Sequence, residues 1–331
     1  MKQKKYDLVT FGEAMVRLSP PHFQRLEQAN NLDIQVGGGE FNVAVAASRL
    51  GLKCAWVSAL PDNPLGRMAR NKAAEQGIDI SHVIMSPKGR QGLYFLEFGA
   101  SPRASQVLYD RSNSSISLIQ PTDVNWDNVL SYSGAFHVSG ITPALSKSAA
   151  ETTLTALQAA KRNGCVVSYD LNYRAKLWST AEAQKCQTPL MKYVDILITT
   201  EEDTDRVFGL KGKNFEETAR RLAESFGFKI VAITLRGDLS VWRNTWTAIA
   251  ASGGKIYRDR TYEVEIVDRV GAGDSFAAGF LYGYLTSGIK KGLQFGNAAA
   301  ALKHTIPGDL NWSTLQEVTA MVEGSGLRIV R

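Results

Sequence analysis

Short runs that are apolar throughout alternate along the chain with segments whose apolar residues recur every three or four positions. YDLVTFG (6–12) predicts a strand ending in glycine, EFNVAVAASRLG (40–51) a helix closed by Gly51, KCAWVSAL (53–60) the next strand, and PLGRMARNKAAEQG (64–77) a helix with a glycine C-cap. The alternation returns with GAFHVSG (134–140), a helix over 146–163, CVVSYDLN (165–172), a helix over 181–192, VDILITT (194–200), a helix over 214–226 and KIVAITLRG (229–237). Strands with no polar face need cover on both sides, so the pattern predicts an α/β fold with a mainly parallel sheet between two layers of helices.

Two stretches break this rhythm. Residues 13–36 hold two prolines and little helical period, and residues 90–118 read as two strands joined by a Gly/Pro turn. Both could be surface loops; being extended, they could instead meet in one small β-sheet that covers the main domain as a lid. Helical period resumes over 289–303 and 313–323, and no linker, repeat or low-complexity segment intervenes. The expectation is one α/β domain over 1–331, with the lid built from 13–36 and 90–118.

Composition narrows the function classes. The 331 residues are 44% hydrophobic and 21% charged, which suits a globular protein with a sizeable core. The formal charge is +6, but Lys and Arg are scattered, clustering only at residues 2–5 and 290–291. Scattered charge argues against a nucleic-acid partner and suits an enzyme of anionic substrates. Cys54, Cys165 and Cys186 are odd in number and contain no CxxC, so neither disulfides nor a metal site is expected and a reducing cytoplasm fits. The first residues lack the apolar core of a signal peptide, and no apolar run nears the ~18 residues of a membrane span, so no membrane partner is expected.

The stretch DRVGAGDSFAAGFLYG (268–283) carries the chemistry. YEVEIVD (262–268) predicts a strand and 274–287 a helix with Phe276, Phe280, Leu281, Tyr284 and Leu285 on its buried stripe. Gly271, Ala272 and Gly273 then form the strand-to-helix turn, where backbone N–H groups can approach an anion closely, aided by the positive end of the helix. The chain lacks GxxxxGK[ST], and Phe276 stands where GxGxxG needs its third glycine, which excludes both the Walker loop and the dinucleotide fingerprint. Asp274, at the edge of this nest, is either an N-cap or a base that takes a substrate hydroxyl proton while the amides hold a phosphoryl group. GGGEFNVA (37–44) offers a second glycine turn before a helix, with Asn42 as donor and acceptor; a plain sharp turn is the alternative.

Together, GGxxxN at 37–42 and DxxGAGD at 268–274, with the βαβ core between them, resemble the ribokinase-like (PfkB) carbohydrate kinases across nearly the whole chain. Within that family the resemblance is to the 2-keto-3-deoxygluconate kinases, through residues 62–79, GLYFLEFG (92–99), VLYDRSNSSIS (107–117), DLNYRAKLW (170–178) and ALKHTIPGDLN (301–311). The resemblance implies a doubly wound α/β domain with a β-sheet lid, and ATP- and Mg2+-dependent phosphorylation of a sugar-acid hydroxyl to give 2-keto-3-deoxy-6-phosphogluconate. Asp274 corresponds to the general base and Gly271, Ala272 and Gly273 to the anion hole. Gly38 and Asn42 would contact the sugar, Tyr94, Tyr109 and Arg111 would line its pocket, and Arg174 would meet its carboxylate. Thr234, Arg236 and Gly237 would lie beside the nucleotide phosphates with Gly271 and Gly273, and Asn297 near the adenine. His304 is expected to pack in the core. Asp268 and Val270 fall where some relatives bind a monovalent cation.

Two positions depart from the family pattern. Its Asn-x-x-Glu, which organises magnesium through water, is here TEED (200–203), with Thr200 for Asn and Asp203 for Glu, so Asp203 is the expected water-mediated ligand. Arg236 and Leu239 replace a small glycine-rich loop, which could alter nucleotide preference. Other readings are a kinase of fructose, ribose or a nucleoside, a kinase of a phosphosugar, and a non-catalytic sugar or nucleotide sensor. Arg111 and Arg174 favour the acid, because a neutral sugar would leave two cationic groups without a partner. Unpaired lid edges suggest a homo-oligomer formed through the lid.

Overall fold

The computed structural model describes residues 4–240 and 242–324, and of Asp238 and Leu239 the backbone alone, so the expectation for the Leu239 side chain lies outside the described residues. Ten strands form the larger sheet. Seven of them run parallel in the spatial order Val83–Ser86, Cys54–Pro61, Tyr6–Phe11, Ser133–Ser139, Val166–Asp170, Ile196–Thr199 and Ile230–Ser240. The sheet closes at one edge with antiparallel strands Arg243–Ser252, Lys255–Arg258 and Tyr262–Glu265. This is the mainly parallel sheet the pattern predicts and the doubly wound architecture the resemblance implies, with an antiparallel edge that the period does not reveal.

Strand alternation supplies both core layers. Leu197, Val231 and Ile233 point into one buried cluster, while Ile196, Ile198, Ile230 and Ala232 point into the other with Phe41, Trp56, Phe276 and Phe280. Because successive side chains leave a strand on opposite faces, an all-apolar strand fills two cores at once.

Helix ends follow local chemistry, with some corrections. The helix expected over 181–192 is Thr180–Gln187 and then turns 3-10 over Thr188–Tyr193, because Pro189 cannot donate to the helical ladder. A further helix, to which the sequence pattern assigns no element, runs over Glu201–Phe208, capped by Thr200 and closed by Gly209 in the left-handed region. The strand predicted over 262–268 stops at Glu265. The helix expected from 274 starts at Ala272 with Gly271 as its N-cap, so Asp274 lies in the first turn and is not the cap.

The two interruptions meet. Met15–Ser19 pairs antiparallel with Asp33–Gly37 and parallel with Leu93–Glu97, which pairs antiparallel with Gln106–Asp110, giving a separate four-stranded sheet in which Val16 and Leu93, 77 positions apart, are partners. The three cysteines are free, Cys54 and Cys165 being buried. No helix among the described residues is long and apolar enough to cross a membrane.

Candidate active site

The carboxyl ends of the parallel strands open into one cleft of about 1020 Å³. Its wall includes Tyr94 and Tyr109 from the small sheet with Arg111 just beyond it, Thr234 and Arg236 from the strand Ile230–Ser240, Thr247 from its antiparallel neighbour Arg243–Ser252, and the turn Gly271–Asp274. That is where open α/β sheets hold ligands, since loops and helix starts converge there.

Backbone proximity explains the glycines. A Cβ on Gly38 would stand 1.9 Å from the carbonyl oxygen of Glu13. Gly271 has φ of +83°, and its Cβ would lie 2.0 Å from the carbonyl oxygen of Asp309. Neither position admits a side chain, so the two glycine turns press close against the 13–14 and 308–310 loops.

Helix Gly39–Arg49 then delivers Asn42, whose Nδ2 donates to Asp274 Oδ2 at 2.7 Å while its Oδ1 accepts from the Gly38 N–H at 3.2 Å. This bond makes Asp274 the focus of the cleft rather than a helix cap. Burial pushes its carboxyl up to about 6; the Asn42 hydrogen bond and the Arg174 charge pull down, and the Asp309 and Glu40 carboxylates push up. Beneath it, Glu40 is 1% exposed and accepts from the Ser139 N–H, the Ser139 hydroxyl and the Thr142 hydroxyl, and burial raises it against these bonds.

Arg174 lies exposed on the cleft wall, its Nη1 donating to the Tyr173 carbonyl at 3.1 Å. Its charge lowers three carboxyls at once, those of Asp170, Asp203 and Asp274. Asp170 is nevertheless held well above the usual carboxylate range, by burial first and then by Asp274 and Asp203. Burial likewise raises Asp203, opposed by Arg174, the Thr200 hydroxyl and the Tyr173 backbone. These all-oxygen donors suit a hard cation that keeps part of its water. Among the described residues, no three His, Cys, Asp or Glu side chains converge as a closed metal cage.

Arg111 differs from its expected state. Its Nη2 pairs with Glu13, which is 3% exposed, and its guanidinium sits 5.6 Å from the Tyr109 ring centroid. A neutral sugar would therefore strand one cation and not two, since Arg111 already has the Glu13 carboxylate and Arg174 alone carries that discrimination. Tyr94 lines the cleft but is 4% exposed, and its hydroxyl donates to Asp309 Oδ2 at 2.5 Å. Asp309 in turn pairs with the buried Arg17, whose other nitrogen meets Asp268 at 2.8 Å.

Gly38, Asn42, Tyr109, Asp203, Thr234, Arg236, Gly237, Gly271, Ala272 and Gly273 all reach the cleft wall. Asn297 is not brought there: it is fully buried, and its Nδ2 donates to Asp259 at 3.1 Å, because the helix Ile289–His304 turns it toward the sheet edge. His304 is 1% exposed, packed 5.3 Å from the Trp246 ring, with burial lowering it to about 4. Asp268 has both oxygens engaged, Oδ1 by the Val270 N–H and Oδ2 by the Gly308 N–H and Arg17.

Sequence reasoning passed over Glu13, Asp170 and Asp309. Asp170 carried a signal, since it ends an apolar strand within the same DLNYR stretch that singled out Arg174. Glu13 and Asp309 acquire meaning only from partners far away in sequence.

A doubly wound sheet, a separate small sheet over its carboxyl edge and a carboxylate at a glycine-lined helix start define a sugar-kinase architecture. The chain belongs to the pfkB family of carbohydrate kinases, whose profile matches residues 5–314. It is 40% identical over 326 residues to a 2-dehydro-3-deoxygalactonokinase of Haloferax volcanii, covering 98% of this chain and 99% of the relative. A solved 2-dehydro-3-deoxygluconokinase of Thermotoga maritima is similar at 41% identity with a TM-score of 0.93, over 96% of this chain and 99% of that one. An uncharacterized sugar kinase of Pyrococcus horikoshii, solved in complex with ATP, shares the fold with a TM-score of 0.77 at 22% identity, over 94% and 96% of the two chains.

Proposed function

We propose that this carbohydrate kinase transfers the terminal phosphoryl group of ATP to the 6-hydroxyl of 2-keto-3-deoxygluconate, giving 2-keto-3-deoxy-6-phosphogluconate. The observation that carries this reading is the pairing, in one cleft, of a carboxylate raised to about 6 with the exposed guanidinium of Arg174. The Asn42 amide holds Oδ2 of Asp274, which leaves Oδ1 to take the hydroxyl proton as the sugar oxygen bonds to phosphorus and the bridging oxygen leaves with ADP. The amides of Gly271, Ala272 and Gly273 open the helix, where the first N–H groups lack intrahelical acceptors, and they stabilise charge on the transferring group. A guanidinium clasps a carboxylate through two parallel hydrogen bonds, which suits Arg174 to a sugar acid.

Thr234, Arg236 and Gly237 stand beside the nucleotide phosphates, and the four-stranded sheet with Tyr94, Tyr109 and Arg111 acts as the lid of the sugar end. Asp203, with Asp170 beside it, would hold Mg2+ through water. That ion, when bound, neutralises phosphate charge. This reading places no monovalent cation at Asp268, whose carboxylate is engaged on both oxygens.

The Haloferax relative favours a second reading, the C4 epimer 2-keto-3-deoxygalactonate. An ADP-release assay with Mg-ATP and equal concentrations of both keto-deoxy acids, fructose and ribose decides. Preference for the gluconate supports the reading, preference for the galactonate moves it to the epimer, and preference for a neutral sugar overturns the role of Arg174.

A further inference from the structure

Lys303 holds a charge that phosphoryl transfer does not use. It lies in the helix Ile289–His304 and is fully buried. Its ammonium donates to two main-chain carbonyls, Asp268 at 3.2 Å and Ile306 at 3.0 Å. Both acceptors are carbonyls rather than carboxylates, and they belong to different loops. The first loop leads from the strand Tyr262–Glu265 into the helix that bears Asp274. The second carries Gly308 and Asp309, and its Asp309 carbonyl presses on Gly271.

Asp268 stitches the same loops from the other side, its carboxylate accepting from Val270 and Gly308 N–H groups at 3.0 Å each. Around the ammonium, Asp268, Asp309 and Asp274 favour its charge and Arg17 opposes it; burial lowers it to about 8, so it stays charged at neutral pH. Burying an ammonium is unfavourable, and an apolar side chain of equal length would serve packing better. Its retention at the junction of two loops behind the phosphoryl-binding turn needs a reason in the charge. An ammonium ringed by peptide carbonyls is solvated as a small monovalent cation would be, with the difference that it is tethered.

We propose that Lys303 is a positioning residue, a built-in monovalent cation that sets the spacing of the 268–271 and 306–309 loops and thereby the placement of Asp274 and the amides at the helix start. This rests on the kinase reading for its consequence in turnover. Displacing a catalytic group by about 1 Å can lower turnover about 100-fold, and a loss of that order is expected for Lys303→Ala, with KM for nucleotide and sugar nearly unchanged. The shortened side chain leaves a hole beside two carbonyls, so ammonium or potassium chloride should restore about tenfold of the lost turnover, whereas choline chloride at equal ionic strength, too large for the hole, should not. Lys303→Met fills the hole without charge; it should lose the same turnover and show no rescue. The wild-type enzyme should respond to none of these salts.

Turnover of Lys303→Ala equal to wild type, or a loss that ammonium and potassium fail to relieve, overturns the proposal. Thermal melts supply a readout independent of substrate: ammonium should raise the melting temperature of Lys303→Ala but not of Lys303→Met, and equal responses overturn the proposal too. A wild-type enzyme that phosphorylates no keto-deoxy acid would sink the substrate reading, while the salt-dependent melts would still decide the role of Lys303.

Discussion

Asn42 and Asp274 lie 232 positions apart in the chain and 2.7 Å apart in the fold, with the amide of one donating to the carboxylate of the other. That bond fixes which carboxylate oxygen is free and opposes the burial that raises Asp274 from the usual 3.8 to about 6.

Replacing Asp274 by Asn should lower turnover about 10²–10⁴-fold while leaving sugar binding intact, the range general-base catalysis supplies. The same variant should melt higher than wild type above pH 6. A carboxyl raised in the fold destabilises when ionised; that effect is complete above the folded value of about 6 and gone below the unfolded 3.8. Calorimetry at pH 7.5 and pH 4 checks the sign, and preserved turnover would sink the base assignment.

Activity should fall as pH drops through about 6, when Asp274 takes up its proton. Asn42→Ala removes a stabiliser of the charged form, and a hydrogen bond to a charged group is worth about 1.5–3 kcal/mol, so the acidic limb should move up by about one to two pH units. The pH profile of kcat/KM measures it; an unmoved limb means another group titrates there.

Arg174→Ala should raise KM for the sugar acid about 10–100-fold, the loss of a charge-assisted bond, and hardly alter KM for ATP. It also removes positive charge that lowers Asp274, so its acidic limb should shift upward. Arg174→Lys should return the limb but not the KM, because ammonium lacks the planar fork. Equal changes in both constants would argue against carboxylate recognition.

Arg111→Ala strands the buried Glu13, and breaking a buried pair on one side costs about 3–5 kcal/mol. Adding Glu13→Gln should recover part of that stability in urea denaturation. If the double variant is no more stable than the single one, Glu13 draws its support from elsewhere.

The four-stranded sheet has edge strands Asp33–Gly37 and Gln106–Asp110, on which Ile34 and Leu108 are 58% and 59% exposed. Unpaired edges with apolar side chains seek partners, so light scattering should report a dimer or larger species that Ile34→Lys with Leu108→Lys converts to monomer. A monomeric mass for the unaltered protein overturns this.

The sequence by itself determined whatever depends on near neighbours. All-apolar strands imposed a two-faced parallel sheet, glycines closed the helices, and the glycine turn before Asp274 put a carboxylate where helix amides gather. The strand Arg243–Ser252 escaped notice because no single period runs through it: buried positions alternate with more exposed ones up to Thr247, and then Ala248, Ile249, Ala250 and Ala251 are all buried, feeding both core clusters. The pairings that give the site its character were decided only by tertiary structure: Asn42 on Asp274, Glu13 on Arg111, Asp309 between Arg17 and Tyr94, and Lys303 on two carbonyls. Each joins groups tens to hundreds of positions apart or turns on burial. A charge's worth depends on distance and on the water excluded around it, and neither is written along the chain.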